Sequence, residues 1–144
     1  MIEVKFKRLQ EFALLPTRAT EGSACFDVYA CLDAPFVLDP GKCELIPTGL
    51  AMEIPCGYEV QIRPRSSMGR RKIIIPNTPA TIDADFRGHL AVILMNLSDE
   101  PYIINHRDRI AQMKLSEVPV MVPVWVDELS STERGEGGIG STGR

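Results

Sequence analysis

Apolar and polar residues alternate over several short segments of this chain. Ile2, Val4 and Phe6 alternate with charged residues, and Tyr58–Arg63 alternates in the same way. A two-residue period predicts β-strands with one buried face. Comparable short segments predict further strands over residues 22–30, 36–38, 44–47, 50–54, 90–97, 101–105 and 109–115.

A helical period is not sustained over two turns, except in a short piece that begins after Pro64-Arg65-Ser66-Ser67. Eleven prolines spread along the chain also disfavour helices. Residues 120–126 are apolar on both faces, which predicts a strand covered on both sides, and Pro123 excludes it from the middle of a regular sheet. We expect this strand to pack against another subunit. Many short strands at close spacing predict an all-β barrel or sandwich.

Length and composition are those of one globular domain. The chain has 144 residues, a mass of 16.0 kDa and a net charge of −3, so no general basic field for nucleic acids or anionic membranes is expected. The N-terminus has no signal-peptide layout, and we expect a cytoplasmic protein with reduced cysteines. We expect a β domain over residues 1–129 and a glycine-rich C-terminal arm over residues 130–144.

Polar and charged side chains are concentrated in residues 77–88, between the apolar segments 73–75 and 90–95. This stretch carries Asn77, Asp83, Asp85, Phe86 and Arg87, and its flanks predict that it is a loop of a hairpin. A solvated acidic turn would account for the same residues, and on local grounds that interpretation is favoured.

Two further segments have the residues of a phosphate-binding site. Arg65, Ser66 and Ser67 combine a guanidinium with hydroxyls at a helix start, although on local grounds ordinary helix capping by serine is the favoured explanation. The tail has Arg134 before a glycine-rich run that ends near Thr142, which could close over an anion or could be a disordered terminus. Asp27 and Gln112 each interrupt apolar strands, and each is ambiguous alone.

Taken together, these segments resemble the trimeric deoxyuridine triphosphatase (dUTP pyrophosphatase) family over nearly the whole chain. Five separated motifs occur in the order found in that family. They are Ser23-Ala24-Cys25-Phe26-Asp27-Val28-Tyr29-Ala30, Arg63-Pro64-Arg65-Ser66-Ser67, Thr81-Ile82-Asp83-Ala84-Asp85-Phe86-Arg87-Gly88, His106-Arg107-Asp108-Arg109-Ile110-Ala111-Gln112 and Arg134-Gly135-Glu136-Gly137-Gly138-Ile139-Gly140-Ser141-Thr142-Gly143.

The resemblance implies a homotrimer of distorted jelly rolls (β-clip barrels), with one short helix per chain and active sites at subunit interfaces. It implies hydrolysis of dUTP to dUMP and pyrophosphate by water attack at the α-phosphorus. This reaction keeps uracil out of DNA and supplies dUMP for thymidylate synthesis. The implied cofactor is Mg²⁺, held by the triphosphate and waters rather than directly by the protein. Neither nucleic acid nor membrane is an implied partner.

The resemblance also implies a role for each matching residue. Asp83 would be the general base for the attacking water. Asn77 and the backbone around Thr81 and Ile82 would bind uracil, and Phe86 would pack against the deoxyribose and leave no room for a 2′-hydroxyl. The implied phosphate-binding and lid residues, with the supporting Asp27, are Arg65, Ser66, Ser67, Gln112, Arg134, Ile139, Gly140, Ser141 and Thr142.

Three positions depart from the commonest family pattern. Phe86 replaces a tyrosine and so keeps the ring but loses the hydroxyl. Ile139 replaces an aromatic residue that would stack on uracil, and Ala80 replaces a glycine. None of these departures removes a group with an implied catalytic role.

Two alternative functions are compatible with parts of this sequence. Deoxycytidine triphosphate deaminase resembles this chain in fold and in two motifs, but the glutamate it needs would fall near Ile93, in a strand without any acid. A non-catalytic jelly roll, either a capsid-like protein or a nucleotide sensor, is the alternative from another class, and the presence of Asp83 and Arg65 argues against it.

Overall fold

A computed structural model of the chain describes residues 1–139 and 141. These residues form ten short β-strands and a single-turn helix, so the predicted all-β class is confirmed. The elements are β1 (Lys5–Arg8), β2 (Phe26–Tyr29), β3 (Phe36–Leu38), β4 (Cys43–Glu53), β5 (Tyr58–Arg63), α1 (Ser66–Gly69), β6 (Ile73–Ile74), β7 (Ala80–Ile82), β8 (Leu90–Asn96), β9 (Tyr102–Ile104) and β10 (Arg109–Glu117).

The strands form two four-stranded sheets and one two-stranded sheet. The first sheet has the order β1-β4-β8-β6, the second β2-β10-β5-β7, and β3 pairs with β9. All of these pairs are antiparallel. Non-consecutive neighbours in both large sheets show that the chain crosses repeatedly between them, as in a jelly roll.

The core contains the inward-facing side chains of both large sheets. Val60 and Ile62 from β5 pack in one cluster with Val92 and Leu94 from β8. All four are at most 2% exposed. On β8 burial alternates residue by residue, which is the half-buried pattern that the sequence predicted.

One predicted pair of strands is a single strand in the structure. Residues 44–47 and 50–54 were expected to be separate, but β4 runs continuously and shifts its register against β8 between Pro47 and Leu50. Gly49 has a φ of 70°, and the buried Thr48 donates a hydrogen bond of 2.6 Å from Oγ1 to the carbonyl of Leu90. A local bulge therefore absorbs the break that the proline and glycine suggested.

The structure does not contain the strand predicted over residues 120–126. Within the described residues, β10 ends at Glu117 and no strand follows it. Val120, Val122 and Trp125 are 91%, 79% and 102% exposed. We call residues 118–129 the apolar arm. The pattern identified an apolar segment correctly, but strand pairing requires a neighbour, and the described part of the chain provides none for it.

No helix among the described residues is long and apolar enough to span a membrane.

Candidate active site

The segment 77–88 connects the two large sheets. Its flanks pair as predicted for a hairpin, because Ile73 and Ile74 of β6 lie opposite Asn96 and Met95 of β8. The segment itself leaves that sheet and forms β7, which pairs with β5 in the other sheet. It is therefore not a simple solvated turn.

A tight turn follows β7 and presents Asp83. The backbone N–H of Phe86 donates to the carbonyl of Asp83 over 3.2 Å. Arg87 fastens the same turn, because its Nη1 donates to the carbonyls of Ala84 at 2.6 Å and Phe86 at 2.9 Å. Ala84 packs against the core, whereas Asp83 and Asp85 are exposed. The turn thus holds the Asp83 carboxylate in solvent on a braced backbone.

A charged cluster lies on the outer face of the second sheet. Arg65 Nε donates to Asp27 Oδ1 at 3.0 Å, and Arg109 Nη1 donates to Asp27 Oδ2 at 3.3 Å. Arg65 Nη1 also donates to the backbone carbonyl of Arg109 at 3.2 Å. One carboxylate therefore orients two guanidinium groups, with the Asp27 side chain only 15% exposed.

Gln112 fixes the corner between β5 and α1. It lies opposite Asp27 on one side and Arg63 on the other, because β10 is the strand between β2 and β5. Residues paired directly across antiparallel strands share a face, so Gln112 and Asp27 lie together. Gln112 Nε2 donates to the Pro64 carbonyl at 2.8 Å, which holds the backbone directly before Arg65.

The two serines after Arg65 are exposed and do not cap α1. The capping position is occupied by Arg65, without a side-chain hydrogen bond, and Ser66 is already the first helical residue. The first backbone N–H bonded within the turn is that of Met68, which donates to the Arg65 carbonyl at 3.1 Å. The interpretation of the serines as helix caps is therefore wrong, and both serines, which directly follow Arg65 in the chain, are exposed.

Asp83 and the charged cluster lie towards opposite ends of β5. Ile82, next to Asp83, pairs with Val60 near the start of that strand, whereas Arg65 follows the end of the strand. At about 3.3 Å per residue, this places them on the order of 15 Å apart along the strand direction. The contacts printed for the described residues join Asp27, Arg65 and the Gln112 corner, whereas the strand register places Asp83 towards the other end of β5.

The remaining predicted binding residues lie at the surface. Asn77 and Thr81 are exposed, Ile82 packs against the core, and Phe86 is 41% exposed. In the tail, Arg134 Nε donates to the Gly137 carbonyl at 2.8 Å, and the Ser141 N–H donates to the Gly138 carbonyl. Ile139 is fully exposed. The predicted residues Gly140 and Thr142 lie outside the described residues.

Sequence reasoning missed Arg109, although it lies within the fourth motif, three residues before Gln112. By strict alternation, a residue three positions before Gln112 faces the opposite side of the strand. A register shift between Arg109 and Ala111 places Arg109 opposite Tyr29, which shares a face with Asp27. The bulge thus turns Arg109 towards the cluster.

Comparisons with known proteins agree with this geometry. The family model described as dUTPase matches residues 12–143. The deoxyuridine 5′-triphosphate nucleotidohydrolase of Syntrophotalea carbinolica is 45% identical, covering 99% of this chain and 97% of the relative. That of Treponema denticola is 48% identical and covers 96% of both chains.

Solved structures have the same fold. A variant dUTPase of Staphylococcus bacteriophage 80alpha, solved with dUpNHpp, is 25% identical and superposes with a TM-score of 0.89 over 99% of each chain. The sheet order, the five motifs and nearly full-length similarity to named relatives lead to one conclusion: this chain belongs to the dUTPase family.

Proposed function

We propose that this chain is a dUTP diphosphatase whose active site is shared between copies of the chain. Its family hydrolyses dUTP to dUMP, and its relatives are named for that reaction. The observation that carries the residue-level proposal is the Arg65–Asp27–Arg109 cluster, in which two cationic groups are oriented and Arg65 is followed directly by the exposed Ser66 and Ser67. Such an arrangement suits the oxygens of a triphosphate.

In this proposal Asp83 orients a water molecule and accepts its proton as that water attacks the α-phosphorus. The bond from water oxygen to phosphorus forms, and the bond from phosphorus to the bridging oxygen breaks, so that pyrophosphate leaves. Arg65, Ser66, Ser67 and Gln112 bind phosphate oxygens, with Asp27 and Pro64 holding two of them in position. Positioning and charge stabilisation supply most of the rate in phosphoryl chemistry.

Substrate selection is assigned to the segment 77–88. Asn77 and the backbone of Thr81 and Ile82 would bind the uracil edge, and the Phe86 ring would pack against the deoxyribose. The pairing of β7 with β5 supports this assignment, because it fixes the backbone that would read the base.

The described acidic side chains are compatible with a magnesium ion that is held chiefly by the substrate. Among the described residues no three His, Cys, Asp or Glu side chains are grouped as metal ligands, and both Asp27 oxygens accept from arginines. When bound through phosphate oxygens and water, Mg²⁺ would neutralise charge on the triphosphate. We assign no side chain as its direct ligand.

A homotrimer with shared sites accounts for two features of the isolated chain. Asp83 and Arg65 lie on the order of 15 Å apart along the strand direction, and a neighbouring copy that supplies one of them would bring both groups to one substrate. The apolar arm is exposed, and an apolar groove of about 390 Å³, lined in part by Val4, Phe6, Phe26 and Met113, lies open on the same molecule. If each copy gives its arm to the next, the contacts close into a ring.

The C-terminal arm over residues 130–144 would act as the lid. Arg134, Ser141 and Thr142 would close over the γ-phosphate, with Ile139 and Gly140 near the base. Ile139 offers a smaller apolar contact than a ring would. Deleting residues 134–144 should abolish turnover without changing the number of chains in the assembly, and a fully active truncation would contradict the lid. A cytoplasmic location stays a prediction from the sequence.

Pyrophosphate release with Mg²⁺ tests the proposal directly. We expect release from dUTP far above that from dTTP, UTP or dCTP, and in water labelled with heavy oxygen the label should enter dUMP. Label in pyrophosphate would place the attack at another phosphorus. Ammonia release from dCTP would instead support the deaminase.

A further inference from the structure

The ring of Phe86 lies against the backbone of Gly88. A Cβ atom placed on Gly88 would stand 2.5 Å from Cζ and 2.8 Å from Cε2 of that ring. Real Cβ atoms do not approach other atoms so closely, because repulsion rises steeply inside van der Waals contact. Any side chain at position 88 would therefore require the ring or the backbone to move.

Backbone conformation does not explain the glycine at this position. The described glycines with positive φ are Gly41, Gly49, Gly57 and Gly135, and Gly88 is not among them. An L-residue could adopt the Gly88 backbone without the strain of the left-handed region. Glycine fits position 88 because the Phe86 ring occupies the space that a Cβ atom would need.

The backbone directly before Gly88 also has little freedom to move. Arg87 Nη1 donates to the carbonyls of Ala84 and Phe86, and Ala84 packs against the core. These contacts fasten the chain directly before Gly88. With the backbone fastened, an added methyl group would displace the ring, and the free direction is towards its exposed side.

We infer that Gly88 is a specificity-determining residue. By leaving room for the Phe86 ring against its backbone, it keeps the ring in the position that accepts deoxyribose and rejects ribose. This inference rests on the proposed function of Phe86. A ring displaced from Gly88 would no longer lie where the proposed site packs it against the deoxyribose, so dUTP binding would weaken and the close fit that excludes the 2′-hydroxyl would be lost.

The first test compares kcat/KM for dUTP and UTP in the full-length Gly88→Ala variant. We expect the dUTP preference to fall by roughly tenfold, since apolar packing alone discriminates a hydroxyl by about a hundredfold. Gly22→Ala is the matched control, because a Cβ there meets nothing within 4 Å and no positive φ is involved. Unchanged preference in Gly88→Ala would overturn the inference.

A double-mutant cycle separates the ring from a general backbone effect. In a Phe86→Ala background, Gly88→Ala should change the preference less than about twofold, because no ring remains to be displaced. An equal loss in both backgrounds would overturn the inference.

An activity-free measurement separates this inference from the proposed function. The NMR shifts of the Gly88 Hα protons should carry a ring-current displacement that disappears in Phe86→Leu. If the displacement is present and dUTP is not hydrolysed, the proposed function fails while the contact stands. If it is absent, the contact itself is refuted.

Discussion

Arg65 and Asp27, 38 positions apart in the chain, are joined by an ion pair of 3.0 Å between Nε and Oδ1. The side chains are 22% and 15% exposed, so solvent screens the pair less than a surface salt bridge. The carboxylate also accepts from Arg109 Nη1. Asp27 thus sets where the guanidinium of Arg65 can meet a phosphate.

Asp27→Asn should lower both catalysis and stability. The asparagine leaves two guanidinium groups without their anion, and we expect kcat for dUTP to fall about tenfold through loss of orientation. The free energy of unfolding should fall by about 1 kcal/mol in urea denaturation, the scale of a charge-assisted hydrogen bond partly replaced. The control is Glu53→Gln, which breaks the exposed pair with Lys5 and should leave both quantities unchanged. Wild-type values for Asp27→Asn would contradict the role.

Arg87→Ala should lower activity more than stability. Its guanidinium braces the turn that presents Asp83, yet the side chain lies at the surface. A loosened turn misplaces the base, so we expect kcat/KM for dUTP to fall about tenfold. The midpoint of thermal unfolding should stay close to that of the wild type. Arg71→Ala, at another exposed arginine, is the control. Equal activity in both variants would refute the bracing role.

Val122→Asp should break the assembly. The apolar arm must be covered in the proposed trimer, and a buried unpaired charge there is strongly unfavourable. Sedimentation should give about three times the chain mass for the wild type and a smaller species for the variant. Trp125 is the only tryptophan, so its emission should shift to the red as the arm becomes exposed to water. Ile103→Asp, at an exposed apolar site on β9, is the control, and a wild type that sediments as a monomer would contradict the trimer.

Cys31 should resist alkylation in the folded protein. Burial raises the pKa of its thiol, and the nearby Asp33 carboxylate acts in the same direction. Iodoacetamide at pH 8 should modify the exposed Cys43 and spare Cys31, as read by mass spectrometry of peptides. Equal modification of both thiols would contradict the burial.

The raised pKa of the Cys31 thiol also predicts how the free energy of unfolding changes with pH. The protonated thiol favours folding below the unfolded-state pKa of about 8.5, and this contribution is lost as pH rises through the higher folded-state value. The alkaline decrease in unfolding free energy should therefore be smaller in Cys31→Ala than in the wild type.

Much of the fold follows from the two-residue period. Residues 58–63 were predicted as a strand with the bounds that β5 has, and 36–38 with those of β3. Prediction failed where pairing depends on distant residues. The bulge in β4 hid one continuous strand, and the strand expected over 120–126 has no partner among the residues described.

The site was harder to predict because its contacts are long-range. Motif resemblance already grouped Asp27, Arg65 and Gln112, but the contacts that join them depend on the order of strands in the second sheet, which no local pattern predicts. Arg109 was missed because a bulge reverses its face. Arg87 is proposed to brace the turn after β7, and Gly88 to position the Phe86 ring. Both roles depend on contacts within that turn, and the sequence pattern does not predict them.

The central claim is that Asp83 is the base in a site whose phosphate-binding half is separate from it. Turnover and binding should therefore be measured together for Asp83→Asn, using dUTP and the non-hydrolysable dUpNHpp, with the exposed neighbour Asp85→Asn as the matched control. The account predicts that Asp83→Asn loses about a thousandfold in kcat while dUpNHpp affinity changes only slightly, and that Asp85→Asn stays near wild type. Near-wild-type turnover in Asp83→Asn, or an equal loss in Asp85→Asn, would contradict it.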